Sequence, residues 1–376
     1  MRIEHIWWQN NRWKPTEPGR LRAAQVVFLF GSTAVLKQRH LLQQLQQVYP
    51  GAHILGCSTA GEISQTQVLD DSLVATAIQF EQTVLRGICI KPHKGTTDFQ
   101  AGELLAQKLL GKDLVHVFVL SRGLDINGSD LVAGLSHRLP SHVTVTGGLA
   151  GDGDRFRETL LIWEGKVEAE SIAALGFYSQ RLRVGCGSFG GWDPFGPQRV
   201  ITRSAGNVLY ELDGRSALSV YKAYLGEQAR GLPATGLLFP LCLLTADSPN
   251  PVVRTILSVN EAEQSITFAG DMPKDVRVRF MRANFDRLIH GAVSAAKTSN
   301  WTLRTAPDLA ILISCVGRKQ VLKQRIIEEV QGVQTIMGNQ AVLTGFYSYG
   351  EISPFLPGAT CKLHNQTMTI TTFAER

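Results

Sequence analysis

The string G-x-x-x-x-G-E-I-S occurs twice in this chain, as Gly56–Ser64 (GCSTAGEIS) and as Gly345–Ser353 (GFYSYGEIS). A fixed motif met twice marks a duplicated supersecondary unit, and it limits the possible folds more than composition does. The flanks agree. Before the second copy, Ala310–Gly317 is an apolar strand-like run and Arg318–Val330 has helical spacing. Ala341–Ser353 then reads as a strand entering a glycine turn, and His364–Phe373 alternates as a closing strand. Around the first copy the same order appears. Val26–Gly31 is a strand, and Val35–Val48 a helix with Leu36, Leu41, Leu42 and Leu45 on one face. His53–Leu55 enters the turn at Gly56–Glu62, and Asp71–Phe80 is the return strand.

A third, more diverged copy lies between them. His116–Leu120 is a strand, Ser129–Leu139 a helix, and Val143–Thr146 enters the turn Gly147–Asp152. Ser171–Phe177 follows as a strand. An acidic residue succeeds the last turn glycine in each copy: Glu62, Asp152 and Glu351. It can hydrogen-bond the turn backbone, or it can line a cleft where turns converge. The sequence leaves both roles open.

A different stretch separates the second and third copies. Leu182–Ser188 is a strand, and Gly191–Pro197 a turn-rich connection. Val200–Ser204 with Asn207–Glu211 forms a hairpin around Ala205-Gly206, and Arg215–Leu225 a helix. A second hairpin joins Val252–Val259 to Ser265–Gly270. The strand Val276–Met281 and the helix Asn284–Lys297 lead back to the third copy, and Pro251–Arg254 with Ser314-Cys315 suggests cleft rims. The expected fold class is α/β, in mixed α+β layers: two domains, 24–190 and 191–376, built from repeated β-α-β-turn-β units.

Length supports two domains, since 376 residues exceed one ordinary core. The net charge of +6 comes without a dense Lys/Arg run, so no nucleic-acid face is expected. No stretch reaches the about 18 apolar residues of a membrane-spanning helix, and the start MRIEHIWWQNNRWKP lacks a signal-peptide core. Six scattered cysteines form no CxxC pair, which argues for reduced thiols and a cytoplasmic location.

The segments GCSTAGEI, GGLAGD, LYELDGRSAL, FAGDMP, SCVGRK, GFYSYGEISP and LHNQTMTI, in this order, resemble proteins that join FIST N and FIST C domains. That resemblance implies a non-catalytic cytoplasmic sensor of small ligands, acting on a separate signalling protein and open to homo-oligomerisation. The NosP group within the family implies bound haem b, detection of nitric oxide, and control of a histidine kinase or of a diguanylate cyclase or phosphodiesterase. The other branch is sensing of amino acids or another small ligand without haem.

Haem b needs an axial His, Cys, Met or Tyr on a rigid element. Of the nine histidines, His364 at the opening of the last strand is the candidate metal ligand, with Cys315 and Tyr349 behind it. Arg318, after a small-residue turn, could grip a propionate or an amino acid's carboxylate, and Glu351 or Asp271 could meet an ammonium group. Enzyme readings have less behind them. Gly56–Gly61 lacks the second glycine of a nucleophile elbow, having Ala60 there. Gly185-x-Gly187-x-x-Gly190 precedes Trp192-Asp193-Pro194, which cannot open a dinucleotide-binding helix. A Cys315/His364 hydrolase has no motif behind it.

Overall fold

The computed structural model describes residues 1–244, 252–355 and 358–376. Pro251 of the suggested cleft rim lies outside them. The architecture is mixed α/β, as the repeat requires. Each repeat centres on a parallel pair: Val26–Gly31 with His53–Ser58, Leu114–Ser121 with Thr144–Leu149, and Leu309–Cys315 with Val342–Ser348. The return strands Leu73–Gln79, Ile172–Tyr178 and Met368–Glu375 pair antiparallel against the first strand of each pair.

The repeat is larger than its motif. Each return strand also carries a strand that opens its unit: Arg2–Gln9, Val84–Ile90 and Leu182–Phe189. The third unit therefore begins at Leu182, and the segment 193–282 is an insertion between its first strand and the helix Phe285–Leu303. That insertion folds as its own eight-stranded sheet, around a core that includes Leu209, Tyr221, Ile266 and Phe280.

The three units interlock. The hairpin after each turn leaves its own unit and extends a neighbour's sheet. Glu62–Ser64 pairs with Val342–Ser348, Gly350–Pro354 with Thr144–Leu149, and Leu161–Trp163 with His53–Ser58. One goes to three, three to two, and two to one, which closes a pseudo-threefold ring. Its apolar centre draws on all three units: Phe28 meets Phe118 at 5.0 Å and Phe30 meets Phe346 at 4.7 Å between ring centroids. Burying such rings contributes about 1.5–3 kcal/mol each.

Several expectations need correction. Gly56, Gly147 and Gly345 are strand residues, not turn residues. Each faces its partner strand so closely that a Cβ would sit 2.0 Å from Leu29 O, 1.8 Å from Val119 O and 1.8 Å from Leu312 O respectively. The first glycine of the motif thus permits close strand approach. Val35–Val48 splits into Thr33–Leu36 and Arg39–Val48, and Arg318–Val330 into Val316–Leu322 and Ile326–Met337. Gly191–Pro197 is largely strand, within Asp193–Ala205, whose register shift between Phe195 and Arg199 accommodates its prolines. Val252–Arg254 pairs with Leu241–Leu244, so the hairpin is only Ile256–Asn260 with Ser265–Phe268. His364 ends the strand Cys361–His364 and does not open the last one.

Candidate functional site

The three turns meet at the end of the ring. Gly151 N–H donates to Ser58 O at 2.8 Å, Ala60 N–H to Tyr347 O at 2.8 Å, and Tyr349 N–H to Leu149 O at 3.3 Å. The acid of each motif fixes its turn. Buried Glu62 accepts from the hydroxyls of Thr59 and Ser72 and from the Ser72 backbone. Buried Glu351 accepts from Ser348 at 2.8 Å and twice from Thr367. Asp152 accepts backbone N–H bonds from Phe156, Arg157 and Glu158, together with the Tyr349 hydroxyl. Of the two roles open for these acids, the turn-holding one is observed. Burial pushes the Glu62 carboxyl up to about 7 and that of Glu351 up to about 8, against the pull of their hydroxyl donors.

The nominated site residues do not converge on an open pocket. Arg318 is fully buried at the base of the third unit. Its guanidinium donates to the carbonyls of Gly190, Leu288 (2.7 Å) and Gln366, and pairs with buried Glu329 at 3.4 Å. Neither a propionate nor a ligand carboxylate can reach it without dismantling that network. Cys315 is 1% exposed, and burial, reinforced by the Glu351 carboxyl, raises its thiol well above the usual range. It is neither a ready thiolate ligand nor a nucleophile. The Tyr349 hydroxyl is taken by Asp152, and its ring stacks on Phe156 at 4.4 Å.

His364 is 2% exposed, and its Nε2 lies 2.9 Å from Ser353 O. A carbonyl only accepts, so Nε2 carries a proton. Burial, with Arg254 and Lys362 nearby, holds its pKa down to about 4. An axial ligand needs a free nitrogen facing a haem-sized space. Nε2 is committed to Ser353 O within the hairpin that Glu351 shares with it, and the ring is buried, so the remaining Nδ1 does not face open space. These residues do not fit haem b as arranged.

Asp271 differs from the rest. It is only partly buried and stands where the inserted sheet meets the ring. Asn127, at the N-cap of the helix Gly128–Arg138, points its Nδ2 at Asp271 Oδ1 (2.9 Å) and at Asp130 Oδ2 (3.1 Å). Burial and the neighbouring Asp271 and Asp98 raise the Asp130 pKa. Beneath them lies Arg254, buried, its pKa held down to about 10 by desolvation. It donates to Asp271 O at 3.3 Å, to Leu363 O at 3.0 Å and to Ser129 Oγ at 3.3 Å. One side chain thereby ties the insertion to the second and third units. Sequence reasoning missed Asn127 and Asp130. Their signal was present, since Asn-Gly-Ser-Asp before an apolar helix is an N-cap pattern, but a cap does not announce a distant aspartate. Among the described residues no cluster of His, Cys, Asp and Glu is arranged to hold a metal ion.

An uncharacterized protein, MJ1623 of Methanocaldococcus jannaschii, is 22% identical over 223 residues, covering 56% of this chain. The match spans 42% of that protein's length. A cyanuric acid hydrolase from A. caulinodans aligns with 78% of this chain and 99% of its own, at 11% identity and a TM-score of 0.18, too low to carry an argument. The FIST N domain matches residues 25–215 and the FIST C domain residues 217–354. With both domains matched in order over most of its length, the chain belongs to the FIST family, whose domains are sensory and bind small ligands.

Proposed function

We propose that this protein is a non-catalytic, haem-free sensor of a small ligand bearing an ammonium group, as an amino acid does. The ammonium would sit between Asp130 and Asp271. The observation that carries this reading is the single amide Nδ2 of Asn127, shared by carboxylates from two different parts of the fold. Two carboxylates brought together repel each other, and a bound cation relieves that repulsion. The raised pKa of Asp130 is in keeping with it.

The joint also supplies a means of signalling. Asp271 belongs to a loop of the insertion and Asp130 to the second unit, so a ligand held by both favours one placement of the insertion over another. A population shift of this kind changes affinity for a partner in proportion to the ligand's preference for one state. The output would be a signalling enzyme, a histidine kinase or an enzyme of cyclic-di-GMP turnover. Detection of nitric oxide required haem iron and is set aside with the axial ligand.

The test is a thermal-shift screen of amino acids and primary amines. A compound that stabilises the native protein should lose its effect in Asp271→Asn and in Asp130→Asn, while both variants melt close to the parent when ligand is absent. A screen without any stabilising amine, or variants that respond like the parent, would refute the proposal.

A further inference from the structure

A cavity of about 740 Å³ opens away from the joint, between the strand Leu182–Phe189, the end of the helix Phe285–Leu303 and the start of Thr144–Leu149. Its size is that of a site for one small ligand. Its lining contains Arg183, Arg304, Arg376 and His142 and, among the described residues, no Asp or Glu side chain. Arg376 is held by Asp308 at 2.8 Å. Arg183 and Arg304 are exposed, and their side chains make no hydrogen bond or ion pair among the described residues. Trp301 stands at the same cavity with 72% of its surface exposed, the most exposed large apolar side chain described. Val184 and Leu303 supply apolar wall.

Two details make this arrangement more than a chance basic patch. Arg304 caps its helix in the left-handed conformation, φ 60° and ψ 18°, where glycine or asparagine sits at lower strain. Trp301 lies one turn earlier on that helix, so one rigid element sets the backbone positions of both residues. An exposed indole offers a stacking face, and a guanidinium offers a planar fork for phosphate or carboxylate oxygens.

We propose that this cavity binds a small planar aromatic anion of the mononucleotide class, its ring stacked on Trp301 and its phosphate held by Arg183 and Arg304. The cavity's volume is that of one nucleotide, and the sequence has no dense Lys/Arg run of the kind that follows a nucleic-acid backbone, which favours one nucleotide over a strand.

The probe is titration calorimetry of the full chain with AMP and GMP, beside adenosine and inorganic phosphate. AMP or GMP should bind with saturation. Adenosine and phosphate should each bind at least about tenfold more weakly, since each keeps only half of the contacts. Trp301→Ala, and Arg183→Ala with Arg304→Ala, should each weaken nucleotide binding by about tenfold or more. All three side chains are exposed, so unchanged melting of the variants is expected and checks their folding. Asp271→Asn should leave nucleotide binding intact, which separates this site from the joint. Absence of saturable binding by either nucleotide would overturn the proposal. So would equal affinity in the variants, or an oligonucleotide that binds while neither mononucleotide competes.

Discussion

Thr367 grips the Glu351 carboxylate twice, through its backbone N–H at 3.1 Å and its hydroxyl at 2.9 Å. In the first unit Ser72 holds Glu62 in the same two ways, at 3.3 and 2.6 Å. The acid that recurs in the motif is therefore a clasp. It fastens each turn to the segment that enters the next strand. This role explains why the motif repeats without any ligand being involved.

The clasps make stability depend on pH. Both acids have folded-state pKa values raised above the usual carboxylate range, to about 7 and about 8. The folded state binds these protons more tightly, so stability is lost as pH rises toward those values. His5, His116 and His364 are depressed to about 4, 3 and 4 by burial, so stability is lost as pH falls below the ordinary histidine value. The melting temperature should peak near pH 6.5 by this reckoning. Each group shifts stability by on the order of 3 kcal/mol across its window. Glu62→Gln and Glu351→Gln should flatten the alkaline limb. Melting curves between pH 4 and pH 9 check this, and an alkaline limb unchanged in both variants would contradict it.

Strand approach is the second point of leverage. Gly147→Ala and Gly345→Ala each place a Cβ 1.8 Å from a carbonyl oxygen of the paired strand. Backbone cannot yield as a side-chain tip can, so both should abolish soluble folded protein. Gly51→Ala, with open space around the site, should be tolerated. Expression and circular dichroism of the three variants decide the matter.

Arg318→Ala should act on folding and not on ligand affinity. It leaves Glu329 buried without its cation and strips donors from three carbonyls, a loss of about 3–5 kcal/mol. Denaturant titration measures that loss. A variant that folded normally and lost only ligand binding would restore Arg318 to the binding site.

Much of the core unit was legible in the sequence because the motif is local. The first strand, the helix and the glycines of each unit lie close together in sequence. Of the opening strands, Leu182–Phe189 was legible, and Arg2–Gln9 and Val84–Ile90 were harder to see. Arg2–Gln9 buries one polar residue, Glu4, and one apolar residue, Ile6, so its sequence shows no clean apolar alternation. The helix Asp98–Leu109 did carry a signal, since Thr97 and Gln100 form a capping box, and it was overlooked. The interlocking was not legible. Glu62–Ser64 pairs with a strand about 280 residues away, and no pattern within either segment names its partner. The site followed the same rule. Arg318 looked like a ligand-binding arginine because nothing in its own segment shows Gly190, Leu288 and Glu329 closing over it.

The most direct test of a haem-free sensor is the absorption spectrum of the protein purified from cells supplied with haem precursor, read before and after reduction and exposure to nitric oxide. A colourless protein that also fails to take up added haem is the expected result. A stoichiometric Soret band that shifts with nitric oxide and disappears in His364→Ala, with the fold intact, would contradict the account and return His364 to the iron.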